Sequence, residues 1–125
     1  MLRLAITEDD GNKIFSGLTR IEARSVICRL RKGGRIDSDS AARILSSIDS
    51  EINRMVEQPL SNAVQNLAAI LVDRHSIRSL DAIQLGSAIV ARDLMAASDM
   101  LFIASDKTLL EAAHKEGFEI WNPVS

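Results

Sequence analysis

Three acidic residues occupy positions where an acid is least expected. Glu22 lies within an apolar helical stripe, four residues after Leu18 and four before Val26. Asp81 opens a long, nearly uncharged stretch, Ser79-Leu80-Asp81-Ala82-Ile83-Gln84-Leu85. Asp106 ends the apolar run Met100-Leu101-Phe102-Ile103-Ala104-Ser105-Asp106. Each is attached to a segment suited to burial, where an unpartnered carboxylate is costly or takes up a proton. Carboxylates brought within a few Å repel, and a divalent cation relieves both the repulsion and the desolvation. Oxygen donors suit Mg2+ or Mn2+ better than zinc. A cation held this way can bind a phosphodiester oxygen, activate water and stabilise a leaving alkoxide.

Simpler roles stay open for each acid. Asp106 can cap a helix, a contribution of about 1 kcal/mol. Asp81 suits a helix's first turn, where negative charge is favourable by roughly 0.3–1 kcal/mol. Glu22 can pair with an arginine such as Arg78. No Walker loop, nucleophile elbow or HExxH motif accompanies them, so phosphate-loop, serine-hydrolase and zincin chemistry lack support. His75 reads as an isolated loop residue and His114 as a surface residue.

The elements that must position these acids follow from periodicity. Residues Lys13 to Ser16 read as a brief strand between Gly11-Asn12 and Gly17. Leu18, Ile21, Val26 and Leu30 then build one face of a helix, which Gly33-Gly34 ends. Asp37 or Ser38 caps a second helix carrying Ala41, Ile44, Leu45 and Ile48. A weak strand near Met55-Val56 stops at Pro59. Ser61 caps a helix with Val64, Leu67, Ala68, Leu71 and Val72 on its apolar face. Ser79 starts another, running to about Ala97 and uncharged from Ala82 through Ala91, so it is expected to be buried on much of its circumference. Met100 to Ala104 reads as a strand covered on both faces. Asp106 or Ser105 caps a helix that Gly117 ends, and Phe118 to Trp121 closes as a strand. Alternating strands and helices imply an α/β domain with a mostly parallel sheet between helices, where ligands gather beyond the carboxyl ends of the strands.

The bulk numbers are compatible with this. At 125 residues, 46% hydrophobic and 26% charged, the chain reads as one domain (1–125) of an ordinary soluble globular protein. No apolar run is long enough to span a membrane, and the start lacks a secretory signal. The single Cys28 leaves no intrachain disulfide, and a cytoplasmic location is expected by default. A net charge of −2 gives no global attraction to nucleic acid. Two basic clusters stand out: Arg20, Arg24, Arg29, Arg31, Lys32 and Arg35, and then Arg74, His75 and Arg78. They read as solvated faces and helix ends, with an RNA-contacting rim as the alternative.

The segments Ser16-Gly17-Leu18-Thr19-Arg20-Ile21-Glu22, Ser79 to Leu85 and Phe102-Ile103-Ala104-Ser105-Asp106-Lys107, in that order, resemble those of the PIN-domain ribonucleases. Within that family the likeness is to the VapC-like toxins of toxin–antitoxin modules. The ending Glu116-Gly117-Phe118-Glu119-Ile120-Trp121-Asn122-Pro123 resembles the family's last turn and strand, so the likeness runs from about Lys13 to Pro123. The resemblance implies a three-layer α/β/α fold and Mg2+- or Mn2+-dependent endoribonuclease activity. It further implies an RNA substrate, an antitoxin partner that fills the groove, and a homodimer. Glu22, Asp81 and Asp106 match three of the family's four acidic positions. Thr19 and Ser105 match frequent hydroxyl neighbours, and Asp99 falls in a variable turn before a strand. Gln84 stands where many relatives carry histidine.

The family begins with a central strand ending in its first aspartate, and no such strand is recognisable here. Met1-Leu2-Arg3-Leu4-Ala5-Ile6-Thr7-Glu8 resembles the helix that follows that aspartate. Asp9 and Asp10 are poor substitutes, because a parallel crossover to the strand at Lys13 needs a dozen or more residues. The expectation is an N-terminally truncated PIN-like domain, with Met1 an internal start and unpaired edges inside the sheet. A chain that begins there is expected to bind metal weakly and cut RNA poorly, with dimerisation or strand exchange covering the gap. Two further functions compete: an inactive PIN-like fragment that binds a partner protein, and a structural α/β domain whose acids are caps and ion pairs.

Overall fold

The structure, a computed structural model, describes residues 6–9, 12–97 and 100–123. In chain order its elements are β1 (Ile6–Asp9), β2 (Asn12–Ser16), α1 (Gly17–Lys32), α2 (Ser38–Ile52), β3 (Val56–Gln58), α3 (Asn62–His75), α4 (Ser79–Leu94), β4 (Leu101–Ile103), α5 (Lys107–Lys115) and β5 (Glu119–Trp121). The fold is mixed α/β. Its strands form one sheet in the order β3-β2-β1-β4-β5.

The centre of the sheet departs from expectation. Residues 6–8, read from sequence as part of a helix, belong to β1, which is the middle strand. It pairs antiparallel with β2 on one side and β4 on the other, so no gap opens inside the sheet. Only Asp10 and Gly11 separate Asp9 from its partner Asn12. A connection that short can join strands only as an antiparallel hairpin, and Asp-Gly is a favoured pair for it. The outer ladders, β2 with β3 and β4 with β5, are parallel. The sheet is thus half antiparallel by ladder rather than mostly parallel, although β3, β2, β4 and β5 all point the same way.

Side-chain alternation divides the core. Thr7, Ile14 and Phe102 stand in register on one face, each 3% exposed or less. That face packs into the main apolar cluster with Leu71, Leu85, Ile89, Leu109, Leu110 and Phe118 from α3 to β5. Within it α4 is the most enclosed helix, with Ala82, Gln84, Leu85, Gly86, Ser87, Ala88 and Ile89 all buried. Gly86 allows this enclosure, because a Cβ there would lie 3.3 Å from the Val64 carbonyl oxygen and 3.5 Å from the Ala68 nitrogen of α3. Phe15 points to the other face, toward α1 and α2, and with Thr19, Ile48, Ile52 and Met55 lines an apolar cleft of about 270 Å³. In register with Phe15 on that face stand Ile103, half-buried, and Trp121, 54% exposed.

The local stop and start signals act as their chemistry requires. Ser16, Asp37, Ser61 and Asp106 each accept a backbone N–H at a helix start. The apolar face of α1 is displaced by one position from the expected one. Thr19, Ala23 and Ile27 are buried, Leu18, Glu22 and Val26 are half-buried, and Ile21 is 61% exposed. Glu22 therefore borders the core and does not enter it.

Candidate carboxylate site

Because β1 runs against both neighbours, β2 and β4 end at the same edge of the sheet, leading into α1 and α5. Asp106 follows β4 and caps α5, its Oδ1 accepting from Leu109 N at 3.0 Å. Asp81 sits in the first turn of α4 and is 4% exposed. One guanidinium approaches both: Nε of Arg78 lies 3.9 Å from Asp81 Oδ2, and its Nη2 lies 3.9 Å from Asp106 Oδ2. The starts of α4 and α5 add the positive ends of their helix dipoles, which favour negative charge at these positions.

One turn along α4, the buried Gln84 reaches across to α1. Its Nε2 donates to Glu22 Oε1 at 3.3 Å and to Thr19 Oγ1 at 3.3 Å. The next residue on this face, Ser87, donates to Ser16 Oγ at 3.0 Å, at the end of β2. Asp81, Gln84 and Ser87, spaced three apart, therefore form a polar stripe on an otherwise apolar helix. It is this stripe that ties α4 to the start of α1.

The sequence-identified residues divide accordingly. Asp81 and Asp106 share Arg78, and Glu22 and Thr19 join the same helix face through Gln84. Ser105 is half-buried at the junction of β4 and α5, beside Asp106. Asp99 lies outside the described residues. Arg78, a candidate partner for Glu22 on sequence grounds, is engaged by the two aspartates. Among the described residues, no three carboxylate, imidazole or thiolate side chains are gathered closely enough to form a metal site. What the edge presents is an oxygen-donor pair already holding a cationic group between its members.

Two contributors are not legible in the sequence. Gln84 carries the link between Glu22 and α4, a role that neither a lone amide in an uncharged helix nor its place in the resemblance announces. His75 is the last residue of α3 rather than a loop residue, and its side chain is only 7% exposed. Its Nε2 lies 2.6 Å from Glu116 Oε2, and Arg74 Nη1 lies 2.7 Å from the same oxygen. Burial pushes the Glu116 carboxyl up, but the hydrogen bonds and charges of Arg74 and His75 outweigh it and hold the group below its ordinary range. Arg92 completes the joint, stacking 4.2 Å from the Phe118 ring centre and donating to the Glu116 carbonyl at 2.7 Å.

The basic clusters are thereby partly accounted for. Arg20 pairs with Glu57 at 3.3 Å and Arg24 with Asp49 at 2.6 Å, while Arg74 and His75 serve Glu116. Arg29, Arg31 and Lys32 fall in the last turn of α1, where positive charge suits the helix dipole. No described helix is long and apolar enough to cross a membrane. No protein-family model matches the chain, and neither the curated proteins nor the solved structures yield a match.

Proposed function

We propose that this edge is the centre of a Mg2+- or Mn2+-dependent endoribonuclease, built on a PIN-like α/β/α arrangement of the VapC-like kind. The observation that carries the reading is Asp81, a buried carboxylate that converges with Asp106 on a single cationic group at the strand ends. A place that already gathers positive charge between two aspartates suits a hard divalent ion. Asp81 and Asp106 would hold the ion, and Glu22, oriented by Gln84, would complete the acidic rim with Thr19 and Ser105 beside it. The bound ion would supply positive charge to the phosphodiester being cleaved. Arg78, with its side chain 67% exposed, offers a guanidinium to the RNA backbone at the same edge. A cytoplasmic setting, an antitoxin that covers the groove and a homodimer belong to the same reading.

One observation favours a second reading, a catalytically silent domain that binds a partner protein. The end of β1 nearest the site is Ile6, an apolar residue. Glu8 and Asp9 belong to the opposite end of the strand. Among the described residues, β1 thus places no carboxylate at the end where a fourth would be needed. Incubating the chain with RNA and Mn2+, beside Asp81→Asn and EDTA controls, separates the two. Cleavage by the wild type alone supports the nuclease, and intact RNA in all three supports the silent domain.

A further inference from the structure

β5 is the outermost strand on its side of the sheet, and all three of its residues are exposed. Glu119 N–H donates to the Met100 carbonyl at 3.2 Å, and the Trp121 carbonyl accepts from Ala104 N–H at 3.2 Å. The peptide groups of successive residues in a strand point to opposite sides, so Ile120 turns both its N–H and its C=O away from β4. One donor and one acceptor of the same residue thus stand on the open edge, with no further strand beyond them among the described residues. The side chains add apolar surface there: Ile120 is 39% and Trp121 54% exposed, on opposite faces of the sheet. The other edge is protected. On β3, Glu57 is engaged by Arg20, Gln58 is buried, and Pro59 follows without an N–H.

We infer that β5 pairs antiparallel with β5 of a second copy of this chain, about a two-fold axis through Ile120. Directly opposed residues in an antiparallel pair exchange either both of their N–H···O bonds or neither. Ile120, with both groups turned outward, meets its own counterpart in the first way. The edge is therefore complementary to itself, which is what a symmetric contact between two copies requires. The register sets Glu119 opposite Trp121 of the second copy, so no like charges stand directly opposed, and it brings the two Ile120 side chains together. Three residues per edge are fewer than a standard interface uses, so the dimer is weak and forms as concentration rises. The pairing gives the homodimer of the reading above a surface, but it stands on the strand edge and not on the acids.

The test is sedimentation equilibrium of the full chain from about 10 µM to about 1 mM, without RNA or metal, so its result is independent of the nuclease reading. The wild type is expected to pass from monomer to dimer across this range. Ile120→Lys and Ile120→Glu each set like charges on the axis, and each alone is expected to stay monomeric. Mixed in equal amounts they are expected to form a heterodimer, because opposite charges then face each other. Ile120→Pro removes the outward N–H while sparing the bonds to β4, and gives a second route to the monomer. Circular dichroism at low concentration checks that the variants fold. A wild type that stays monomeric at the highest concentration overturns the proposal and leaves the edge to a strand of another protein. Dimers that survive all three substitutions, or a Lys and Glu mixture that stays monomeric, overturn it as well. So does growth beyond the dimer, the mark of head-to-tail pairing.

Discussion

Nε2 of Gln84 lies 3.3 Å from Oε1 of Glu22, so the most buried helix of the fold holds an acid of α1 at the rim of the candidate site. The same nitrogen reaches Thr19 Oγ1, and Thr19 in turn donates to Gln84 Oε1 at 3.5 Å. One amide therefore fixes both the position of a carboxylate and the satisfaction of a buried hydroxyl. The Gln84→Leu substitution strands the Thr19 hydroxyl in the interior. The expected loss is about 1–3 kcal/mol in urea unfolding. Adding Thr19→Val to Gln84→Leu should restore part of it, whereas a further loss would show that the pair is not coupled.

The proposed nuclease reading rests on Asp81, the more buried of the two aspartates. Asp81→Asn keeps the size of the group and removes the charge. RNA cleavage in Mn2+ is expected to fall by about 100-fold or more, with the circular dichroism spectrum unchanged. A variant that cuts at the wild-type rate would place the chemistry elsewhere.

Gly86 tests the packing of α4 on α3. A methyl group there meets the Val64 carbonyl and the Ala68 backbone, neither of which can rotate away as a side chain tip would. Gly86→Ala is expected to cost about 1–3 kcal/mol, even though alanine is the better helix former. Equal or higher stability in denaturant would mean that the two helices separate easily.

Acid should loosen the joint between α3 and α5. The Glu116 carboxyl is held below its ordinary value of 4.5, so it favours the folded state fully above that value. The contribution disappears as pH falls through the lower, folded-state value. Thermal midpoints measured from about pH 6 down to about pH 3 should therefore drop more steeply in the wild type than in Glu116→Gln. Parallel curves would remove this group from the acid response.

Local signals are easy to read in the sequence and tertiary ones are not. The caps at Asp37, Ser61 and Asp106 and the stop at Gly33-Gly34 act within a few residues, so their positions follow from residue type alone. The inward face of α1 is ambiguous because two stripes, Leu18-Glu22-Val26 and Thr19-Ala23-Ile27, run side by side. The packing of α1 against the rest of the fold buries Thr19, Ala23 and Ile27, an outcome that neither stripe announces by itself. The gathering of Asp81 and Asp106 on one edge follows from alternating elements, and Arg78 with Asp81 is a local i,i+3 pair, but the reach of the same arginine to Asp106 is tertiary and not legible in the sequence. The first strand escapes for a different reason. The Asp10-Gly11 turn signal is present, but a parallel sheet would require β1 to run in the opposite direction.

The reversed β1 also bears on how the molecule assembles. A strand that enters the sheet centre through a crossover must wait for a distant partner, and its contacts close long loops. Here the middle strand and one neighbour come from residues 6–16, an eleven-residue hairpin with Asp9 opposite Asn12. That hairpin is the most local pairing in the sheet, and it offers two free flanks at once. β3 can add to one and β4 to the other in either order, so the innermost part of the sheet is the part whose formation asks least of the rest of the chain.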